Sequence, residues 1–200
     1  TIRYDAVGNR IETVNMRGYA TRLEYDANNN LARKTDALGG ETSFRYDALD
    51  RQSAVTDANG HTASYTYDAV GNRLTVTLPE GQISSYTYDG ENNRLTFTNA
   101  KGYVTTYLYD ALNRMVSETD PMGHVARIEY DAIGQIVRKI DANGHANRYV
   151  YDALGRLIRV TDALGHTTLY AYDAVGNLMT ETDANGYATT YVYDPLNRLV

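Results

Sequence analysis

Short runs along the chain alternate apolar and polar residues with a period of two. In the segment from Tyr187 to Tyr193, Tyr187, Tyr191 and Tyr193 fall on one side and Val192 on the other. These runs are about six residues long, rich in β-branched and aromatic types, and bounded by Gly, Asn, Asp or Pro. That pattern predicts strands joined by tight turns. No segment carries the 3.6-residue period of an amphipathic helix, so the fold class read from the pattern is all β.

The runs are copies of one another. Tyr-Asp recurs at Tyr4, Tyr25, Tyr46, Tyr67, Tyr88, Tyr109, Tyr130, Tyr151, Tyr172 and Tyr193, each 21 residues after the last. A Gly recurs with the same period, at Gly18, Gly39, Gly60, Gly81, Gly102, Gly123, Gly144, Gly165 and Gly186. Residues 1–200 therefore read as one tandem array of about 9.5 repeats with no internal domain boundary. The position two before each Tyr is also large and apolar (Leu23, Phe44, Tyr65, Tyr86, Tyr107, Ile128, Tyr149, Tyr170, Tyr191). The position seven after it is apolar in most copies (Ile11, Leu74, Leu95, Val116, Val137, Ile158, Met179), with Ala32 and Ser53 weaker.

Each repeat holds two turn signals, Tyr-Asp-Ala-x-Gly and Thr-Asp-Ala-x-Gly, half a repeat apart, as at Tyr151 to Gly155 and Thr161 to Gly165. Both fit a type I turn closed by a left-handed residue, with Asp accepting backbone N–H bonds. The fourth position of the first turn carries Gly8, Asn29, Asp50, Gly71, Asn92, Asn113, Gly134, Gly155, Gly176 or Asn197, the types that tolerate positive φ. Pro79, Pro121 and Pro195 all occupy the second turn position, which favours the φ that a pyrrolidine ring fixes.

Strand, turn, strand, turn without crossover builds an antiparallel meander of roughly nineteen strands, with the tyrosines in a ladder of ~9.6 Å steps. Strand twist coils so long a ribbon. Each Tyr is read as a packing residue at a half-buried strand end, its hydroxyl reaching water. A single repeat cannot stand alone, so stability comes from its neighbours. Thr1-Ile2-Arg3-Tyr4 and Asn197-Arg198-Leu199-Val200 lie inside a repeat, so the chain is expected to be an excerpt of a longer array.

Composition narrows the function. The chain has 19 Tyr and 16 Gly, two Phe, no Trp and no Cys, which removes disulfide scaffolds and thiolate zinc sites. The net charge is −6 and there is no basic run, which argues against a nucleic-acid surface. Neither a long apolar run nor a charged-then-apolar leader occurs, so no membrane span and no signal peptide is expected in this stretch.

The stretch Asp152 to Asp173, with its Tyr-Asp-Ala-x-Gly-Arg-Leu and Thr-Asp-Ala-x-Gly-His-Thr-Thr-x-Tyr-x-Tyr-Asp motifs, resembles the Rhs or YD repeat, and the resemblance extends over the whole chain. It implies a hairpin strip spiralling into a hollow shell. In bacterial polymorphic toxins and insecticidal toxin complexes such a shell surrounds a C-terminal toxic domain; related repeats occur in cell-wall-associated proteins and teneurins, where adhesion is the theme. The implied partners are the rest of the same polypeptide (shell, core segment and toxic cargo) together with glycans or secretion machinery. The implied location is secreted or cell-surface. The family's autoproteolytic core segment has no counterpart here; Asp120-Pro121-Met122-Gly123 has the phase of an ordinary second turn.

The polar residues do not add up to a chemical site. Calcium in β-rolls needs a nine-residue period and several oxygens per turn, so no metal or other cofactor is expected, and a chelator should leave the melting temperature unchanged. His61, His124, His145 and His166 follow the second-turn Gly, in a slot that Tyr19, Tyr103, Tyr187, Gln82 and Gly40 also fill. Ladder steps of ~9.6 Å are too wide for neighbouring rings to share an ion. There is no Gly-x-Ser-x-Gly elbow, and the Asp residues have near-identical settings, so no catalytic residues are assigned and the chain is read as a non-enzyme. Sugar stacking on exposed aromatics such as Tyr103 and Tyr187 stands as the alternative to a shell.

Overall fold

The computed structural model describes residues 1–200. Its nineteen strands belong to one antiparallel sheet, and there is no helix. Two compact units are distinguished, Thr1–Val104 and Thr105–Val200. The first contains β1 (Ile2–Tyr4), β2 (Arg10–Val14), β3 (Ala20–Tyr25), β4 (Leu31–Thr35), β5 (Glu41–Tyr46), β6 (Gln52–Thr56), β7 (Thr62–Tyr67), β8 (Arg73–Thr77), β9 (Ile83–Tyr88) and β10 (Arg94–Thr98). The rest are β11 (Val104–Tyr109), β12 (Met115–Thr119), β13 (Val125–Tyr130), β14 (Ile136–Ile140), β15 (Ala146–Tyr151), β16 (Leu157–Thr161), β17 (Thr167–Tyr172), β18 (Leu178–Thr182) and β19 (Ala188–Thr190). Within each unit every strand pairs antiparallel with the next, as in β3 with β4 and β15 with β16.

The turns close as the residue types dictate. In the first turn of the eighth repeat, Asp152 N–H donates to the Arg156 carbonyl (2.9 Å) and Gly155 N–H to the Asp152 carbonyl (3.0 Å). Asp152 Oδ1 then accepts the N–H groups of Leu154 and Arg156. The second turn, at Asp162 to His166, repeats this pattern. The nine second-turn glycines have φ between +81° and +88°, and the first-turn Asn and Asp residues at the corresponding position lie between +57° and +67°. No peptide bond is cis.

The two hairpins of a repeat differ in one respect that period-two alternation does not foresee. In β13–β14 the register runs Glu129↔Arg138 and then Tyr130↔Ile136, so Val137 is an extra residue. The same slip beside the Tyr-Asp Tyr occurs in the other first-turn strand pairs, including β3–β4, β9–β10 and β17–β18, whereas hairpins such as β14–β15 and β16–β17 keep a regular register. The extra residue falls each time in the slot seven after the Tyr. A bulge bends its strand and increases the local right-handed twist, so curvature is installed once per repeat.

Burial is shallow. Leu23, Tyr107 and Ser117 alone fall in the buried class, and no side chain is fully enclosed. The half-buried face carries pairs such as Phe44↔Val55, Tyr65↔Val76 and Tyr149↔Val160, and Tyr86 stacks on Phe97 with centroids 5.3 Å apart. The opposite face is polar, with Thr66–Thr75 and Thr87–Thr96 hydroxyl pairs at 2.7 Å. The accessible surface is 13471 Å². Within each unit the strands lie only against their ladder neighbours, so neither unit has a second layer to cover a face of its sheet.

Candidate functional site

No single pocket dominates the molecule; what repeats is the way one hairpin is fastened to the next. The Tyr of Tyr-Asp ends its strand beside the bulge, and its hydroxyl reaches back to the preceding repeat. Tyr25 donates to the Arg10 carbonyl (3.1 Å), Tyr46 to Leu31 (3.0 Å), Tyr67 to Gln52 (2.8 Å) and Tyr88 to Arg73 (3.0 Å). In the second unit Tyr130 donates to Met115 (2.9 Å), Tyr151 to Ile136 (3.0 Å) and Tyr172 to Leu157 (2.9 Å). Sequence reasoning placed these hydroxyls in water. They bind carbonyls because each repeat lies against the last, bringing the first strand residue after the earlier turn within reach. Burial raises the phenol pKa of Tyr46, Tyr88 and Tyr151, which keeps each hydroxyl a donor. Tyr4, in the first strand, is exposed; Tyr109 pairs with Met115 across its hairpin, and Tyr193 forms an isolated bridge to Leu199.

A second fastening uses the residue that follows the first turn. Arg156 Nε donates to Asp152 Oδ2 (2.7 Å), its Nη1 reaches the Asp173 carbonyl of the next repeat (2.9 Å), and its guanidinium lies 5.0 Å from the Tyr172 ring centroid. Arg51 does the same with Asp47, Asp68 and Tyr67, and Arg114 with Asp110 and Tyr130. Where the residue is Asn, its amide can bridge its own turn Asp and the left-handed residue of the next turn, as Asn72 does between Asp68 and Asn92, Asn177 between Asp173 and Asn197, and Asn30 between Asp26 and Asp50. Gln135 donates to the Gly155 carbonyl (2.8 Å). Sequence reading missed these staples. Their signal was visible as the restriction of this slot to Asn, Arg or Gln in all ten copies.

The second-turn edge lacks such ties. Each His closes on its own turn, Nδ1 to Asp Oδ2, at 3.2 Å for His61–Asp57, 2.8 Å for His124–Asp120, 3.1 Å for His145–Asp141 and 2.9 Å for His166–Asp162. Tyr19, Tyr103 and Tyr187 are exposed at the same slot. The nine turn glycines lie along this edge, and a Cβ built on Gly144 or Gly165 would meet open space. Asp110, Asp120 and Asp152 are held below the ordinary Asp value of 3.8, Asp110 chiefly by the Arg114 side chain, Asp120 by the His124 ring and Asp152 by the Arg156 N–H. Each is thus an ionised acceptor for its turn. The four His rings are each engaged with a turn Asp, and no group of three His, Asp or Glu converges on a metal position. A shallow concavity of about 310 Å³ on the second unit is lined by Glu118, Ile128, Lys139, Asp141 and His145. No nucleophile hydrogen-bonded to a base lies among those residues.

An open antiparallel sheet of like hairpins, tied repeat to repeat along one edge, defines the class of β-hairpin repeat sheets. The chain belongs to the Teneurin YD-shell family, whose profile matches residues 52–200. The RHS Repeat profile matches residues 4–41 and 25–62. Comparison with curated protein sequences returns no match. Among solved structures, the TcdB2-TccC3-Cdc42 complex is similar over 100% of this chain and 14% of its own, with a TM-score of 0.58 and 18% identity. TcdB2-TccC3-TEV gives 0.54 and 17% over 15% of its chain, and TcdB2-TccC3 gives 0.51 and 18% over 16%. The likeness is one of fold, and this chain spans only a small fraction of the length of those solved chains.

Proposed function

We propose that these residues form a non-catalytic stretch of wall in a secreted toxin shell, closing off a cargo domain carried by the same polypeptide. The observation that carries the reading is the single layer. A sheet whose strands meet only their ladder neighbours within each unit, with no enclosed side chain, has the build of a partition between two spaces. The repeat-to-repeat ties make such a partition continuous, because a hydroxyl bond and a polar staple reinforce the backbone ladder at the seams. The likeness in fold to toxin complexes supports the choice of a shell, one of these being described as lacking its hypervariable C-terminal region. The partners on this reading are the remaining shell, the core segment and the cargo.

The test is limited proteolysis of the natural polypeptide that carries this array. Any segment following the array should resist digestion while the array is intact and become sensitive once turns are broken by Gly144→Val together with Gly165→Val. Equal sensitivity in both states would sink the containment reading. The alternative, an adhesion or glycan-binding array, draws on the exposed Tyr19, Tyr103 and Tyr187. Glycan binding lost on replacing Tyr103 and Tyr187 by Ala would favour it.

A further inference from the structure

The polar face of the second unit breaks the repeat symmetry at one place. Arg127 on β13, Arg138 on β14, Arg148 on β15 and Arg159 on β16 lie on the same face. The register sets Arg138 directly opposite Arg148, Glu129 opposite Arg138 and Val150 opposite Arg159. Arg127 lies diagonal to Arg138, and Arg148 diagonal to Arg159, so the four guanidinium groups form a band crossing four strands. Three steps of ~4.8 Å make the band about 14 Å long.

Five repeats earlier, the corresponding positions are Arg22, Arg33, Ser43 and Ala54. There both arginines are neutralised: Arg22 by Glu12 at 3.1 Å, and Arg33 by Glu24 and Glu41, each at 3.4 Å. In the second unit Ser117 stands where Glu12 did and Ala146 where Glu41 did, while Arg148 and Arg159 are added. Glu129 is the one carboxylate left on this face, bound to Arg138 at 3.0 Å. Four positive charges against one negative leave a balance of +3 in a chain whose net charge is −6. Arg127, Arg148 and Arg159 are exposed, and the buried Nε–H of Arg138 has no acceptor. Like charges placed directly opposite in a sheet are destabilising, so the free chain carries Arg138 opposite Arg148 at a cost.

We infer that the Arg127, Arg138, Arg148 and Arg159 band is a docking site for a carboxylate-rich polypeptide segment. The ligand class follows from the chain's own usage, since on this same face the matching arginines of the first unit are satisfied by glutamates. Guanidinium forks suit carboxylates, and Arg outnumbers Lys 16 to three in the chain. An extended acidic peptide presents a side chain to one side every ~6.7 Å, so about three carboxylates span the band and match its balance of charge.

Fluorescein-labelled octaglutamate, titrated into the full 200-residue chain at low salt and read by anisotropy, tests the assignment. Binding should weaken as salt rises and fall at least tenfold in the Arg148→Gln, Arg159→Gln double variant. Arg22→Gln should leave affinity within twofold. Arg148→Gln alone removes the opposed like charge, so its melting temperature should equal or exceed that of the unaltered chain while binding drops. Three outcomes would overturn the proposal: no octaglutamate binding by the unaltered chain, undiminished binding by the double variant, or a preference for inorganic polyphosphate over octaglutamate.

Discussion

Replacing Tyr151 by Phe isolates the seam between adjacent repeats. The substitution keeps the ring beside the bulge, opposite Leu157, and removes only the hydroxyl that donates to the Ile136 carbonyl at 3.0 Å. A neutral intramolecular hydrogen bond contributes about 0.5–1.5 kcal/mol net, and a partly buried carbonyl that loses its donor takes the cost toward about 1–2 kcal/mol. The raised phenol pKa has burial as its leading cause, so water replaces the lost donor poorly. Tyr187→Phe is the control, since that residue is 76% exposed; it should stay within about 0.5 kcal/mol. Urea unfolding followed by far-ultraviolet circular dichroism gives the difference. Because repeat arrays can lose all-or-none behaviour, amide exchange at Arg138 and Tyr151 supplies a local reading of the same seam. If Tyr151→Phe and Tyr187→Phe unfold alike, the hydroxyl tie contributes nothing to fastening one repeat to the next.

Other substitutions probe the turns, the staples and the carboxylates. Gly144→Val should cost about 1–3 kcal/mol in the same assay, all of it from backbone strain, because φ is +86° and a new Cβ meets open space. Gly144→Asn should recover most of the loss, as Asn occupies left-handed positions elsewhere in the chain. Arg156→Lys keeps the charge but cannot reproduce the fork joining Asp152 to the Asp173 carbonyl, so the melting temperature should fall by a few degrees; no change would count against the staple. Turn residues Asp110, Asp120 and Asp152 have folded pKa values below 3.8, so their contribution is complete above that value and is lost as pH falls through the folded values. The melting temperature should therefore hold steady from about pH 8 to about pH 5 and drop below about pH 4. A decline that sets in already at about pH 6 would contradict this assignment.

Much of the wall was legible because its causes are local. A turn of the form Asp-Ala-x-Gly needs nothing beyond its own atoms to accept N–H bonds on Asp and place Gly at positive φ, so nineteen strands could be anticipated from turn spacing. The bulge was not legible. Ile158 and its equivalents read as ordinary strand residues, and only pairing with the opposite strand reveals that Ile158 has no partner. The direction of each Tyr hydroxyl was likewise hidden, since its acceptor lies in the preceding repeat and reach depends on how one hairpin lies against the next.

The arginine band divides along the same line. Arg127 and Arg148 lie one 21-residue repeat apart, as do Arg138 and Arg159, so the period alone gives each pair a common face, but it does not say that the two pairs share one. Strand register and the bulges put them together, and register is set by hydrogen bonds between strands. The amino-acid order by itself determined the repeat period, the all-β class and the turn chemistry, because these are encoded within single repeats. The tertiary structure alone decided which edge is fastened, where the strands bend and which charges meet, because each depends on a neighbour supplied by another repeat.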